Sequence, residues 1–211
     1  MLDLDNLESI DFSILANVNR KGRVFIISGP SGVGKGTLLS LLIGKHPEIV
    51  LSVSVTTRKP RTGEVHGVNY IFISKEEFEE MIEKDEFLEW AVFAGNYYGT
   101  YANIVQESLN MGLDVALEID VKGALQVKEK LKDAILIFIL PPSIAELQTR
   151  LFKRKTDSQE SIQKRLSIVK SEIEKKHLFD YEIVNQDLDT AIKNLEAIVL
   201  AERCRIRNGQ N

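Results

Sequence analysis

Residues 29–35 read Gly29-Pro30-Ser31-Gly32-Val33-Gly34-Lys35, which satisfies the spacing G-x-x-x-x-G-K. Glycines placed this way let successive backbone N–H groups turn inward on a polyphosphate, and the closing lysine supplies a point charge between the terminal phosphates. A helix that starts there adds the positive end of its dipole. The cradle runs from Gly29 through Lys35 to Gly36 and Thr37, and its chemistry is the grip of a nucleoside polyphosphate. Loops of this kind place a metal-binding hydroxyl directly after the lysine. Gly36 stands there instead, so Thr37 is the candidate contact for Mg²⁺, through a water.

Other charges are unevenly spread. Residues 150–165 hold Arg150, Lys153, Arg154, Lys155, Lys164 and Arg165 against two acids, whereas 74–89 hold eight acids against two bases. A base-reading N-K-x-D string is absent, which argues against a GTPase. A stretch rich in prolines, glycines and arginines, TTRKPRTGEVHGVNY (56–70), suits an anionic acceptor. It equally suits a solvated loop. Glu89 beside Trp90 is either a buried acceptor or a strand residue facing water. Asp120, at the end of the apolar run Val115–Ile119, stands where a phosphate-loop enzyme organises its metal ion.

The elements that must hold these residues follow from periodicity. Val24–Ile27 reads as a buried strand, Gly29–Gly36 as a turn, and Thr37–Ile43 as a helix. Ile49–Val55 and Val68–Ile73 have strand character. Ser74 with Glu77 forms a capping box ahead of the helical positions Phe78, Met81 and Ile82. Phe87–Phe93 and Tyr97–Tyr101 flank Gly95-Asn96 as a hairpin. Alternation then resumes: helix 102–111, strand Asp114–Ile119, helix 121–132, strand Ala134–Leu140, and a helix opened by Ser143 with Glu146. An exposed loop, LFKRKTDSQE (151–160), precedes helix 158–177, strand Glu182–Asn185 and helix 188–205. The expected class is α/β: a mostly parallel sheet with helices on both faces, its site outside the carboxyl ends of the strands. The expected organisation is an arm at 1–20, a core at 21–53 and 104–207, an α+β insertion at 54–103, and a lid at 150–165.

Composition narrows the class. The chain has 211 residues, a net charge of −4, and one cysteine, Cys204. A lone cysteine forms no intrachain disulfide and suits a reducing cytoplasm. An acidic balance argues against a nucleic-acid partner. The longest apolar run, Ala134–Leu140, falls far below the roughly 20 residues needed to span a bilayer. The opening MLDLDNLESIDF carries acids where a leader would carry bases, so it is read as part of the mature protein. That arm suits a helix packed on the body, a dimer contact or a frayed end; the chain is expected as a monomer or homodimer. His46, His66 and His177 have no metal spacing.

From Arg23 to about Arg203 the chain resembles the guanylate kinases. The strings that carry the likeness are GPSGVGKGT (29–37), SVTTRKPRTGEVHGVNY (54–70), FLEWAVFAGNYYGT (87–100), EIDVKGA (118–124), ILPPS (139–143), RLFKR (150–154) with KRL (164–166), and IVNQDLD (183–189). The resemblance implies a phosphate-loop kinase core with a monophosphate-binding insertion and a lid. It implies ATP as donor, GMP with dGMP as acceptors, and Mg²⁺ as cofactor. It implies that Arg58, Arg61, Tyr70 and Tyr98 hold the acceptor phosphate, and that Glu89, assisted by Ser54, Thr100 and Asp120, reads guanine. Lys35, Arg150, Arg154 and Arg165 then act on the transferred group, and Asn185 grips the adenine. As a residue by itself, Asn185 is equally a turn or helix cap. The chain departs from the family where Glu118 replaces a common aspartate and where Lys153 and Lys155 flank Arg154 in place of glycines. Two alternatives remain: a catalytically silent module that binds phosphopeptides in the acceptor cleft, and a kinase for another monophosphate. The intact loop disfavours the first, and Glu89 disfavours AMP and UMP.

Overall fold

The computed structural model describes residues 21–152 and 168–206. In chain order its strands are β1 (Val24–Ser28), β2 (Ile49–Leu51), β3 (Val55–Thr56), β4 (Ile71–Phe72), β5 (Phe87–Phe93), β6 (Asn96–Tyr101), β7 (Asp114–Glu118), β8 (Ile135–Leu140) and β9 (Tyr181–Val184). Its helices are α1 (Lys35–Lys45), α2 (Lys75–Glu83), α3 (Ala102–Asn110), α4 (Val121–Lys130), α5 (Ile144–Phe152) and α6 (Leu188–Cys204), with further helical residues at 168–174. The larger sheet is parallel throughout, in the order β2-β7-β1-β8-β9. Its central strands are apolar on both faces because helices cover both. Successive residues point to opposite sides. Phe25 and Ile27 thus meet Leu38, Leu39 and Leu42 of α1 and Leu195 and Val199 of α6. Val24 and Ile26 meet Val105 and Leu109 of α3 and Ala124 and Val127 of α4. The chain is of the α/β class expected.

A smaller sheet, ordered β4-β3-β6-β5, rises beside it. Beneath it Phe78 of α2 stacks on Phe87 at 4.3 Å and on Tyr97 at 5.1 Å. The capping box predicted for α2 is present in both directions, Glu77 N–H to the Ser74 hydroxyl and Ser74 N–H to the Glu77 carboxylate. The Ser143 hydroxyl likewise accepts from Glu146 N–H at the start of α5.

Several boundaries differ from the sequence reading. The apolar–polar alternation of Ile49–Val55 is not one strand: β2 ends at Leu51, and Val55 pairs in the smaller sheet with Ile71 and Gly99. Alternation records a face, not the sheet that owns it. Of Val68–Ile73 only Ile71–Phe72 is strand, because Val68 and Asn69 donate to the Val65 carbonyl in a turn. The β5–β6 turn is Ala94-Gly95, at φ 48 and 77, and Asn96 already pairs with Phe93. Left-handed backbone at both turn residues matches the twist of a two-residue hairpin. Helix α1 starts two residues early, so Lys35 belongs to its first turn. Leu151 and Phe152 extend α5 rather than opening a loop. Helix 158–177 ends as helical residues 168–174 followed by a 3₁₀ turn at Lys176–Leu178. The arm at 1–20 and residues 153–165 of the expected lid lie outside the described residues.

Candidate active site

β1 is flanked by β7 on one side and β8 on the other, and open α/β sheets bind ligands in the crevice where the strand order reverses in this way. The Gly29–Lys35 loop leaves the carboxyl end of β1 there. Three of its residues need glycine. Gly29, Gly32 and Gly34 have φ of 134, 89 and 95, and a Cβ on Gly29 would collide with the Ile139 carbonyl. Lys35 Nζ donates to the carbonyls of Gly29 at 2.6 Å and Pro30 at 3.2 Å, which folds the ammonium over the loop. Gly29 and Pro30 are buried, whereas Ser31 and Thr37 are exposed.

Asn185, at the end of β9, is 6% exposed and donates its amide to the Val33 carbonyl at 2.7 Å. A Cβ on Gly34 would stand 2.6 Å from that amide nitrogen. The side chain therefore braces the phosphate loop from below, and Gly34 leaves room for it. This contact joins residues 152 apart in the chain, which no local pattern announces.

The second constellation is built on the β5–β6 pair. A β-bulge between Phe87 and Glu89 shifts the register, so that Glu89 lies opposite Thr100 while Leu88 turns into the main core. Bulges re-aim side chains in this way. Glu89 is 7% exposed, and the Thr100 hydroxyl donates to its Oε1 at 2.7 Å. Its Oε2 approaches Gly123 so closely that a Cβ there would stand 2.8 Å away, with Asp120 Oδ1 at 3.4 Å. Asp120 also caps α4, accepting from Gly123 N–H at 2.7 Å. Burial pushes the Glu89 carboxyl up to about 7; the Asp120 charge adds to the rise, and the Thr100 hydrogen bond opposes it. A buried carboxylate with a hydroxyl beside it is suited to a base that offers two N–H groups on one edge.

The third is a cationic corner. The Arg58 guanidinium donates to the Lys59 carbonyl and to Glu64, both at 2.8 Å, and lies over the rings of Tyr70 and Phe72 at 5.2 and 5.8 Å. The Tyr98 phenol lies within electrostatic reach of the same guanidinium, and the Tyr70 and Tyr98 rings meet edge to face at 6.1 Å. Arg58, Tyr70 and Tyr98 are thus one cluster. Arg61 lies on the exposed loop beyond it. Ser54, half-buried, leads into β3 with its carbonyl accepting from Ile71.

Sequence reasoning passed over several residues that join these parts. Gln126 of α4 holds both the N–H and the carbonyl of Trp90, and Lys130 donates to the Phe87 carbonyl at 2.7 Å, so α4 seats β5 against the core. Glu118, which the sequence reading does single out as replacing a common aspartate, places its Oε2 3.2 Å from where a Cβ on Gly36 would be, filling the space above the first turn of α1. Glu172, half-buried, lies within electrostatic reach of Lys35, Lys175 and Asp120; burial first, then Asp120, raises its carboxyl while the lysines lower it. Lys35 of the phosphate loop and Asp120 beside Glu89 therefore both lie within electrostatic reach of one residue. Arg150 lies on α5, while Arg154 and Arg165 fall outside the described residues.

No group of three His, Cys, Asp or Glu that could hold a metal ion occurs among the described residues, and none of their helices is long and apolar enough to cross a membrane. His66 accepts the Phe72 N–H, and His46 faces Glu48 and Glu196. Cys204 is exposed at the end of α6.

Comparison with known proteins meets this geometry from the other side. The guanylate kinase family profile matches residues 21–202. A guanylate kinase of Syntrophomonas wolfei is 50% identical over 191 residues, covering 90% of this chain and 98% of its own. One from a Synechococcus strain is 53% identical over 179 residues, covering 85% and 82%. The crystal structure of guanylate kinase from Anaplasma phagocytophilum superposes with a TM-score of 0.71 at 32% identity, covering 89% of each chain. A match of this length and depth, on a chain that carries the phosphate loop and a buried carboxylate at Glu89, leaves one conclusion: the chain belongs to the guanylate kinase family of nucleoside monophosphate kinases.

Proposed function

We propose that this chain transfers the γ-phosphoryl group of ATP to GMP, and to dGMP as a second acceptor, giving ADP and the diphosphate. The observation that supports it most is that one strand pair carries both recognition surfaces. Glu89 and Thr100 form the acceptor edge for guanine, and Tyr98 meets Tyr70, over which Arg58 lies, for the phosphate. Guanine offers N–H groups at N1 and N2, where a carboxylate accepts both; adenine presents a lone pair at N1 and is refused. Asp120 closes that edge, and Ser54 assists. Arg58 and Arg61 meet the phosphate oxygens, and Tyr70 and Tyr98 donate without adding charge.

The attacking oxygen needs no general base. A phosphate monoester has its second pKa near 6, so at pH 7 it is mostly ionised already. The protein's work is to bring two anions into line and to cancel charge on the transferring group. Lys35 and the Gly29–Thr37 loop hold the donor phosphates, and Asn185 fixes the loop from behind while bordering the adenine side. Arg150, Arg154 and Arg165 close over the reacting group and exclude water, which would otherwise take the phosphoryl group. A Mg²⁺ ion suits the donor set at the start of α1. Thr37 and Glu118 offer hard oxygen, Gly36 leaves room for the Glu118 carboxylate, and Mg²⁺ keeps most of its waters in such sites. Bound there with ATP, it neutralises charge on the donor phosphates.

We place the protein in the cytoplasm, where one exposed cysteine stays reduced and both nucleotides are present. The test is a coupled ADP-release assay across GMP, dGMP, AMP, UMP and CMP. GMP and dGMP should be turned over and the others hardly at all. Equal rates on AMP would remove Glu89 from the base pocket, and no turnover with tight phosphopeptide binding would favour the silent module.

A further inference from the structure

In the exposed run 59–69 one residue turns inward, and it is an acid: Glu64, 19% exposed. Its Oε1 accepts from Arg58 Nη2 at 2.8 Å, and its Oε2 accepts from the backbone N–H of Arg61 at 2.7 Å. We propose that Glu64 is a positioning residue for the acceptor phosphate, one carboxylate setting both the Arg58 fork and the loop that carries Arg61. The proposal rests on the GMP reading above.

An arginine that clamps a phosphate must surrender rotamer freedom, and a partner that fixes it beforehand removes much of that loss from the binding step. Arg58 is fixed on three sides: by Glu64, by the Lys59 carbonyl, and by the faces of Tyr70 and Phe72. The fork keeps further N–H groups for an oxyanion. A carboxylate next to a phosphate site is also a rival anion. Here the geometry points to support instead, because Glu64 is held independently of Arg58. Its own N–H donates to the Arg61 carbonyl at 3.0 Å while its carboxylate takes the Arg61 N–H, a reciprocal pair that closes residues 61–64. Gly63, at φ 87, permits the turn. A carboxylate tied into its own loop on both sides stays in place when the phosphate arrives. Arg58 also keeps Glu64 below the usual carboxylate range, so it is ionised throughout the neutral range.

Steady-state kinetics of the wild-type protein, E64Q, E64A and E64D decide it. Glutamine keeps the volume but accepts with one oxygen only, so it cannot serve Arg58 and Arg61 together. E64Q and E64A should raise the KM for GMP about tenfold, the equivalent of one charge-assisted hydrogen bond. kcat should stay within about twofold and the KM for ATP should not move, since neither depends on this loop. E64D should recover part of the loss. Guanosine, which lacks the phosphate, should inhibit all four forms equally. Four results overturn the proposal: an unchanged KM for GMP, a lower one, which would make Glu64 a competitor, a parallel loss of guanosine affinity, or a fall in kcat alone. Wild-type protein inactive on GMP would overturn the underlying reading as well; an active wild type with indifferent variants removes only Glu64.

Discussion

Guanine binding should be coupled to proton release at Glu89. The carboxyl is 7% exposed and raised to about 7, with burial the first cause and Asp120 the second. Guanine's N–H edge requires the ionised form, so GMP binds the fraction already deprotonated and draws the remainder after it. With a carboxyl at about 7, the KM for GMP should rise about tenfold from pH 8 to pH 6 through Glu89 alone. Protonation of the GMP phosphate adds about twofold over the same range. Calorimetry at pH 7 in buffers of differing ionisation enthalpy should register release of about half a proton from this residue. E89Q should abolish that release, keep only the phosphate's twofold pH effect, and give up about 1–3 kcal/mol of guanine preference. Folding carries the mirror image. A carboxyl raised from 4.5 to about 7 binds its proton more tightly in the folded than in the unfolded state. Stability therefore falls as pH climbs from 4.5 to about 7, by roughly 3 kcal/mol, and the full loss persists above that window. E89Q, which never ionises, should melt several degrees higher than wild type at pH 8 and at nearly the same temperature near pH 4.5. Identical pH profiles of KM in the two proteins, or a melting gain that ignores pH, would refute the reasoning.

Three further outcomes are expected. Lys35→Ala should lower kcat by about 10²-fold or more while moving the KM for GMP little, because the ammonium acts on the transferring group; steady-state kinetics would show it, and comparable losses in both constants would move Lys35 out of that role. Gly34→Ala must hold alanine at φ 95 and push the Asn185 amide from the Val33 carbonyl. The combined penalty is about 2–3 kcal/mol, read as weaker binding of a fluorescent ATP analogue with GMP affinity retained. Asp114, 2% exposed, accepts from Arg23 N–H at 2.8 Å and from Arg203 Nε at 2.7 Å, tying the end of α6 to the amino end of β7, opposite the end of the sheet that carries the phosphate loop. Asp114→Ala should therefore destabilise by about 3 kcal/mol and lower the melting temperature by about 10 °C, with the KM for GMP unchanged.

What the sequence made legible was local. Gly29–Lys35 is legible because glycine spacing is a backbone requirement, and Ser74 with Glu77 because a cap is written within four residues. The central strands of the larger sheet were legible because both of their faces are covered, which leaves unbroken apolar runs such as Ile135–Leu140. Where the chain passes between sheets, at residues 52–54, the alternation continues without a mark, so β2 and β3 read as one strand. The bulge at Leu88 is equally silent, although it is what sets Glu89 opposite Thr100. Ala94 in a left-handed turn hid the true hairpin, since alanine rarely adopts that conformation. Contacts such as Asn185 to Val33 and Glu64 to Arg58 depend on tertiary placement, and their residue types alone suggest no more than a cap and a solvated acid.

The most direct measurement follows the phosphoryl group itself. ATP labelled at the γ-phosphate, given with magnesium and GMP to the purified protein, should deliver its label to the β-position of GDP, with almost none appearing as inorganic phosphate. Label released to water, or retained in ATP beside unconverted GMP, would contradict a cleft that aligns two nucleotides and keeps solvent out.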